Sequence, residues 1–180
     1  MDYKDMFVEL LGAKNIASKQ GLSSKDFAKG VGALLPELLD RLNKKTEEPQ
    51  DVDRLNEILK RHEDDDFSRS QSYIENLENS EKENMIDAIL GGKRKEIEQE
   101  TSQKTGLDDE TIKKILKIAA PIILLYLSKN KKQKKLNKED LRKETSEMNK
   151  KAKEVGIYGS FVKLLDKDGD GKVLDDLLGL

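Results

Sequence analysis

The sequence contains no cysteine and no tryptophan, and His62 is its only histidine. Without cysteine, disulfide bonds, thiolate nucleophiles and cysteine-ligated zinc are excluded, which suits a reducing compartment. One histidine is too few for a typical zinc centre, and His62 adjoins Glu63 and Asp64, with which we expect it to pair. A glycine-rich phosphate loop and a nucleophile elbow are also missing. These absences favour a protein that is not an enzyme.

Long apolar stretches and an excess of one charge are missing too. The formal net charge is −2, so no global field draws the chain to nucleic acid or to an anionic membrane. The most apolar run, 115–127, contains Lys117 and Pro121 and is shorter than the roughly 20 residues that a bilayer requires. The N-terminus lacks the basic and apolar regions of a signal peptide. We therefore expect a soluble, cytoplasmic protein with no membrane span.

The main feature that is present is an internal repeat. One copy begins at Gly21-Leu22 and the other at Gly106-Leu107, and the two then run in register without a gap. Pro36 aligns with Pro121 in this register. The other aligned apolar pairs are Phe27 and Ile112, Val31 and Leu116, Leu35 and Ala120, Leu38 and Ile123, Leu39 and Leu124, and Leu42 and Leu127. The sequence thus predicts a duplicated helix-glycine-helix unit.

The repeat predicts the fold class. Each copy reads as a helix that ends at a glycine, followed by a helix that Ser23 or Asp108 caps. Apolar residues in 112–127 follow helical spacing and later occupy every side, so this helix belongs at the centre. A proline inside a helix removes a hydrogen bond and clashes with the preceding turn, so bends are expected before Pro36 and Pro121. We predict an all-α, compact helical bundle with homeodomain-like helix pairs and proline-bent central helices.

Composition divides the chain into three regions. Residues 1–128 form the predicted duplicated domain, with repeat units at about 5–45 and 86–128. Residues 129–156 are dominated by lysine and glutamate, which is typical of a solvated helix or a mobile linker. Residues 157–180 form an acidic segment that resembles a calcium loop.

The acidic segment carries the sharpest motif, Asp-Lys-Asp-Gly-Asp-Gly-Lys at 166–172. Carboxylates occupy positions 1, 3 and 5 and glycine position 6, the order that surrounds calcium with oxygens about a tight turn. Leu177 stands where a bidentate glutamate is usual, so we expect a weak site or, alternatively, an acidic turn that only caps the last helix. The predicted calcium ligands are Asp166, Asp168, Asp170, the carbonyl of Lys172, and Asp175 or Asp176.

Two features of the sequence resemble nucleic-acid-binding motifs, but neither favours that function. The helix-glycine-helix spacing is familiar from helix-turn-helix proteins, but acidic residues fill the start of the helix that follows Asp108. The lysines at 129, 131, 132, 134 and 135 are closely followed by acidic residues, and no aromatic residues interleave for base stacking. We therefore expect no specific binding to nucleic acid.

Several short motifs, taken in order, resemble a bacterial family. They are Gly-Leu-Ser-Ser-Lys-Asp-Phe with Leu-Leu-Pro, Ile-Leu-Gly-Gly, Gly-Leu-Asp-Asp-Glu-Thr with Ala-Ala-Pro-Ile, and Leu-Leu-Asp-Lys-Asp-Gly-Asp-Gly-Lys-Val-Leu-Asp-Asp. From about Leu10 to the C-terminus, this order is similar to that of domain of unknown function 937, which includes the YidB-like proteins. The resemblance implies an all-helical bacterial protein without an established activity. The family's terminal acidic motif maps onto Asp166, Asp168, Asp170, Asp175 and Asp176, and the lysine-rich segment is longer than in the family.

These observations favour a non-enzymatic helical interaction or structural module with an unknown protein partner. Calcium is the only cofactor that the sequence suggests. One alternative is a DNA-binding regulator that uses a helix-turn-helix-like unit, which a salt-dependent binding assay would reveal. The other is a carboxylate-based hydrolase around the acidic loop, which would require an ordered pocket that gathers further carboxylates.

Overall fold

The structure is a computed structural model that describes residues 2–154. Within that range the chain forms nine α-helices and two 3₁₀ turns, and no strand. The helices are α1 (Tyr3–Gly12), α2 (Lys14–Lys19), α3 (Ser24–Lys45), α4 (Pro49–Arg61), α5 (Ser70–Asn76), α6 (Asn79–Leu90), α7 (Arg94–Thr105), α8 (Asp109–Lys134) and α9 (Lys138–Glu154). The first 3₁₀ turn, Phe67–Arg69, precedes α5, and the second, Gly91–Lys93, joins α6 to α7. The predicted all-α bundle is confirmed.

The N-terminal ends of α3 and α8 are capped in the same way. Gly21 and Gly106 precede these helices with φ angles of +80° and +72°, in the left-handed region that glycine adopts without a steric penalty. Ser23 then accepts a hydrogen bond from the N–H of the third residue of α3 at 3.0 Å. Asp108 accepts the equivalent bond in α8 at 2.7 Å. A short polar side chain therefore satisfies one free N–H at each helix start.

The centre of the bundle is α8. Every side chain from Ile118 to Ser128 is buried, as the apolar pattern predicted. This helix contacts each of the seven helices that precede it in the chain. A helix that is apolar on all sides is stable in water only when neighbours enclose it, and here they do.

The two predicted repeat units pack across each other. Helix α3 of the first unit contacts α6 and α7, and α8 of the second unit contacts α1 and α2. At the crossing of α3 and α8, a Cβ on Gly30 would lie 2.2 Å from Ile115 Cδ1. Gly30 and Ile115 occupy aligned positions of the repeat, so glycine allows the two helices to approach there.

Both prolines lie inside continuous helices. Pro36 is within α3 and Pro121 within α8, and neither helix ends at its proline. The duplication and the proline bends therefore stay predictions, and superposition of 21–42 on 106–127 is their direct test.

The folded body extends past residue 128 into the lysine-rich stretch. Helix α8 continues to Lys134, and α9 packs against α3 and α4. The inner face of α9 buries Leu141, Thr145, Met148, Asn149 and Ala152. Thr145 also donates a hydrogen bond to Asn43 Oδ1 at 3.0 Å. Over 138–154 the stretch is thus an amphipathic helix that packs on the bundle.

Candidate functional site

The predicted calcium ligands lie outside the described residues. This applies to Asp166, Asp168, Asp170, Lys172, Asp175 and Asp176. Calcium binding therefore stays a prediction from the sequence. Between residues 2 and 154, no three histidine, aspartate or glutamate side chains converge in a way that would hold a metal ion.

One polar cluster in the described part surrounds His62, which is 8% exposed at the end of α4. Its Nδ1 lies 2.8 Å from Asp65 Oδ2, and its Nε2 lies 3.0 Å from Glu81 Oε1. The hydroxyl of Tyr73 is 2.6 Å from the same Nδ1. Through these contacts the ring joins α4 to α5, to α6 and to the loop between α4 and α5. We call His62, Asp65, Tyr73 and Glu81 the His62 cluster.

The partners of His62 differ from those expected. Asp64 forms an ion pair with Lys132 of α8 instead, and the ring nitrogens contact Asp65, Glu81 and Tyr73 rather than Glu63. The loop after α4 turns so that Asp65, three residues beyond the histidine, faces the ring. Glu81 lies on α6, and sequence adjacency gives no indication that this helix contacts the ring. Adjacency in the sequence was therefore a poor guide, because tertiary packing selects the partners.

Electrostatics in the His62 cluster favour an ionised Glu81 and a neutral Tyr73 phenol. Burial opposes ionisation of Glu81, but hydrogen bonds from His62 and Asn84 and the charge of Arg61 lower its pKa below the ordinary value. Burial raises the pKa of Tyr73, and its hydrogen bond to Asp65 acts in the same direction. The Tyr73 hydroxyl consequently keeps its proton and acts as a donor.

A second cluster centres on Arg94, at the start of α7. Its guanidinium binds Glu83 and Asp87 of α6, and its Nε donates to Glu98 Oε1 at 2.8 Å. Lys117 of α8 lies 3.2 Å from Glu83. Burial lowers the pKa of Arg94, but the hydrogen bonds that its guanidinium donates to Glu83 and Glu98 outweigh it and raise the value, so the group stays charged. This cluster was not predicted from the sequence, in which its only signal is the i,i+4 spacing of Arg94 and Glu98.

The helix-glycine-helix units are α2 with α3 and α7 with α8. A DNA-reading helix needs an exposed face that enters the major groove. In α8 most side chains after the first turn are buried in the core. In α3 the buried residues include Phe27, Val31 and Leu34. The exposed first turn of α8 carries Asp109 and Glu110, which would meet the phosphates.

The lysine cluster at the end of α8 is partly neutralised within the protein. Lys129 Nζ donates to the carbonyl of Asp65 at 3.2 Å, and Lys132 pairs with Asp64. Lys134 lies 2.8 Å from Glu144 of α9. These contacts hold α8 to the loop after α4 and to α9.

Two open depressions flank the first 3₁₀ turn. The α1 depression, of about 360 Å³, is lined by Val8 and Phe67 together with Asp5, Glu9, Asp66, Ser68, Lys129 and Gln133. The α5 depression, of about 460 Å³, is lined by Tyr73 and Leu77 together with Asp66, Arg69, Ser72, Asn76 and Glu78. Carboxylates outnumber cationic side chains in each of them. Apolar side chains with an acidic rim therefore face solvent on this side of the bundle.

The comparisons with known proteins add one finding. A family model described as "Bacterial protein of unknown function (DUF937)" matches residues 9–130. No curated protein and no solved structure matches the chain significantly. Among the described residues, no helix is both long enough and apolar enough to cross a membrane.

Proposed function

Because the chain belongs to the DUF937 family of bacterial proteins of unknown function, we propose from its side chains that it is a non-enzymatic helical interaction or structural module. The observation that carries the proposal is that both ring nitrogens of His62 already contact protein side chains. An imidazole that acts as a general base needs a ring nitrogen free for the substrate. Here one nitrogen faces Asp65 and the other faces Glu81, so the ring serves to join helices.

The contact surface in this proposal is the pair of depressions beside the first 3₁₀ turn. Val8 and Leu77 are half-buried at their rims, and both depressions are lined by aromatic side chains. Exposed apolar groups with a polar rim are typical of protein contact sites. Since the rims are acidic, the partner that fits them presents apolar side chains flanked by lysine or arginine.

The experiment is affinity capture from a bacterial lysate with three full-length proteins. They are the wild type, the double variant Val8→Arg with Leu77→Arg, and the control Gln99→Arg with Gln103→Arg on the exposed face of α7. Both variants add the same charge, so a general electrostatic effect acts on both. We expect a protein that the wild type and the control capture and that the Val8 and Leu77 variant loses. A captured set that is the same for all three proteins would contradict the proposed surface.

Weak calcium binding at the C-terminus is part of the same proposal. It is supported by the carboxylate and glycine order of the 166–172 motif. Lack of the bidentate glutamate places the expected dissociation constant at about 10⁻⁴ to 10⁻³ M. Calorimetry of the full chain, with and without Asp168→Ala, tests it. Binding that is absent from the wild type, or unchanged in the variant, would leave the motif as an acidic cap.

A further inference from the structure

The turn between α8 and α9 is short and strained. It consists of Lys135, Leu136 and Asn137. Lys135 has a φ angle of +53°, and within residues 2–154 the other positive φ angles all belong to glycines. In the left-handed region a Cβ lies too close to the backbone, a penalty that glycine does not have. The turn therefore holds a lysine in a conformation that lysine disfavours.

The sequence across this turn is that of a continuous helix. Neither glycine nor proline occurs in 122–155, and lysine, glutamate and leucine, which favour helices, are frequent there. If 135–137 became helical, the last carbonyls of α8 and the first N–H groups of α9 would gain partners within one helix. Lysines would then stand three or four residues apart, but each such pair weakens a helix by less than one left-handed lysine does. A straight helix over 109–154 is therefore an alternative to the turn.

A straight helix would carry α9 away from the surface that it covers. That surface belongs to α3 and α4, and we call it the α9 groove. The face of α9 that packs there includes Leu141, Met148 and Ala152, which water would contact if the groove were left. Thr145 Oγ1 also donates to Asn43 Oδ1 at 3.0 Å. A displaced α9 thus needs an identical groove, which a second copy of the chain supplies.

We propose that two copies of this chain exchange α9, so that α8 and α9 of each copy form one straight helix and α9 of one copy fills the α9 groove of the other. The contacts of α9 are the same in the monomer and in this dimer, so they favour neither. The dimer relieves two left-handed lysines, and short strained connections are known to invite such exchange. The α9 groove is distinct from the two depressions beside the first 3₁₀ turn, so the exchange is independent of the proposed contact function.

The interface of α9 allows it to leave its own groove. Asn149 is 8% exposed, yet its Oδ1 has no hydrogen-bond partner among the described residues, which weakens the interface. Lys138 pairs with Asp53, and Arg142 pairs with Glu47. All four of these side chains are exposed, and ion pairs of this kind contribute little. A few apolar side chains therefore supply most of the attachment of α9.

The capping box at the start of α9 opposes the exchange. Asn137 Oδ1 accepts a hydrogen bond from the N–H of Asp140 at 3.0 Å, and Asp140 Oδ2 accepts one from the N–H of Asn137 at 3.1 Å. Both bonds require that α9 begins after Asn137. Lys135 therefore favours the dimer, and Asn137 favours the monomer. Because a short linker gives an effective concentration in the millimolar range, we expect dimer at roughly 0.1–1 mM protein.

An engineered disulfide tests where α9 lies, because the full-length chain has no cysteine of its own. Thr46→Cys with Thr145→Cys replaces two buried hydroxyl groups that are 3.3 Å apart. The reduced protein is incubated at about 10 µM and at about 1 mM, then diluted and oxidised at once. We expect non-reducing electrophoresis to show monomers closed within one chain at the lower concentration and a large fraction of covalent dimer at the higher one. Thr145→Cys alone is the control and should give no covalent dimer.

Substitutions in the turn test the cause of the exchange, with light scattering of the otherwise unchanged chain as the measurement. Lys135→Gly relieves the turn and weakens a straight helix, so it should weaken dimerisation by at least about tenfold. Asn137→Ala removes the cap and favours a straight helix, so it should strengthen dimerisation by roughly tenfold. Ser146→Ala, on the exposed face of α9, is the matched control and should leave it unchanged.

Three results would overturn the exchange of α9. The first is a wild type that remains monomeric at about 1 mM. The second is a dimer whose engineered disulfides all close within single chains. The third is a dimer that Lys135→Gly and Asn137→Ala affect in the same direction, or no more than Ser146→Ala does.

Discussion

Helices α3 and α8 begin alike and are buried differently. Both follow a left-handed glycine, both have a side-chain cap, and both contain a proline. Yet α8 is enclosed on every side over 118–128, whereas Ala33, Pro36 and Glu37 of α3 are only half-buried. A local pattern therefore fixes how each helix starts, while the number of neighbouring helices decides how much of it is buried.

The two helices should differ most in their response to a charge placed at aligned positions. Ala33 and Ile118 are aligned in the repeat, but Ile118 is fully buried. Ile118→Lys should lower the free energy of unfolding by more than about 4 kcal/mol, because an unpaired ammonium would enter the core. Urea denaturation followed by circular dichroism measures the change.

Ala33→Lys is the matched control for that experiment. A lysine there can extend its ammonium into solvent, so the loss should stay below about 1 kcal/mol. Similar losses at the two positions would show that the burial of α3 and α8 does not differ as described.

A smaller effect is expected at the crossing of the two helices. Gly30→Ala places a Cβ 2.2 Å from Ile115 Cδ1, so the isoleucine must move. Alanine gains about 1 kcal/mol of helix propensity over glycine, which offsets part of an overpacking cost of about 1–3 kcal/mol. We expect a net loss of about 1 kcal/mol in the free energy of unfolding, measured by chemical denaturation.

A double-mutant cycle isolates the contact. Ile115→Val removes the Cδ1 atom that a Cβ at Gly30 would meet, so Gly30→Ala should be neutral or stabilising in that background. If the two substitutions simply add, the close approach of α3 and α8 at this point is not the cause of the loss.

Effects of similar or smaller size concern the two helix caps. Ser23→Ala should lower the free energy of unfolding by about 1 kcal/mol, because a backbone N–H at the start of α3 loses its acceptor. Asp108→Ala should lower the melting temperature as well, but with a different pH profile. A hydrogen bond from the Thr111 backbone lowers the pKa of Asp108, so its contribution is present above the ordinary value of 3.8 and is lost as the pH falls below it.

Thermal melts at neutral pH and at about pH 3 separate the two caps. Near pH 3 the effect of Asp108→Ala should shrink, whereas the effect of Ser23→Ala should persist because serine does not titrate. A pH-independent effect at Asp108 would mean that its carboxylate is not the cap of α8.

For the candidate site, sequence reasoning reached the residue types but few of the partners. It identified His62 as the only histidine and expected it to be paired, but it selected Glu63 and Asp64 by adjacency. Contacts with Glu81 and Tyr73 depend on how α4, α5 and α6 meet, which no local spacing encodes. The Arg94 cluster was missed for the same reason, since it gathers side chains from α6, α7 and α8.

The amino-acid sequence alone was enough to predict the helical class, the capped starts of α3 and α8, and the central position of the helix through Pro121. These features follow from local rules: hydrophobic period, capping chemistry and the freedom of glycine at positive φ. Three features depend on how the bundle packs: the position of α9 over 138–154, the approach of Gly30 to Ile115, and the choice of carboxylates that face His62. Such contacts join residues far apart in the chain, and their selection depends on the collective packing of the bundle.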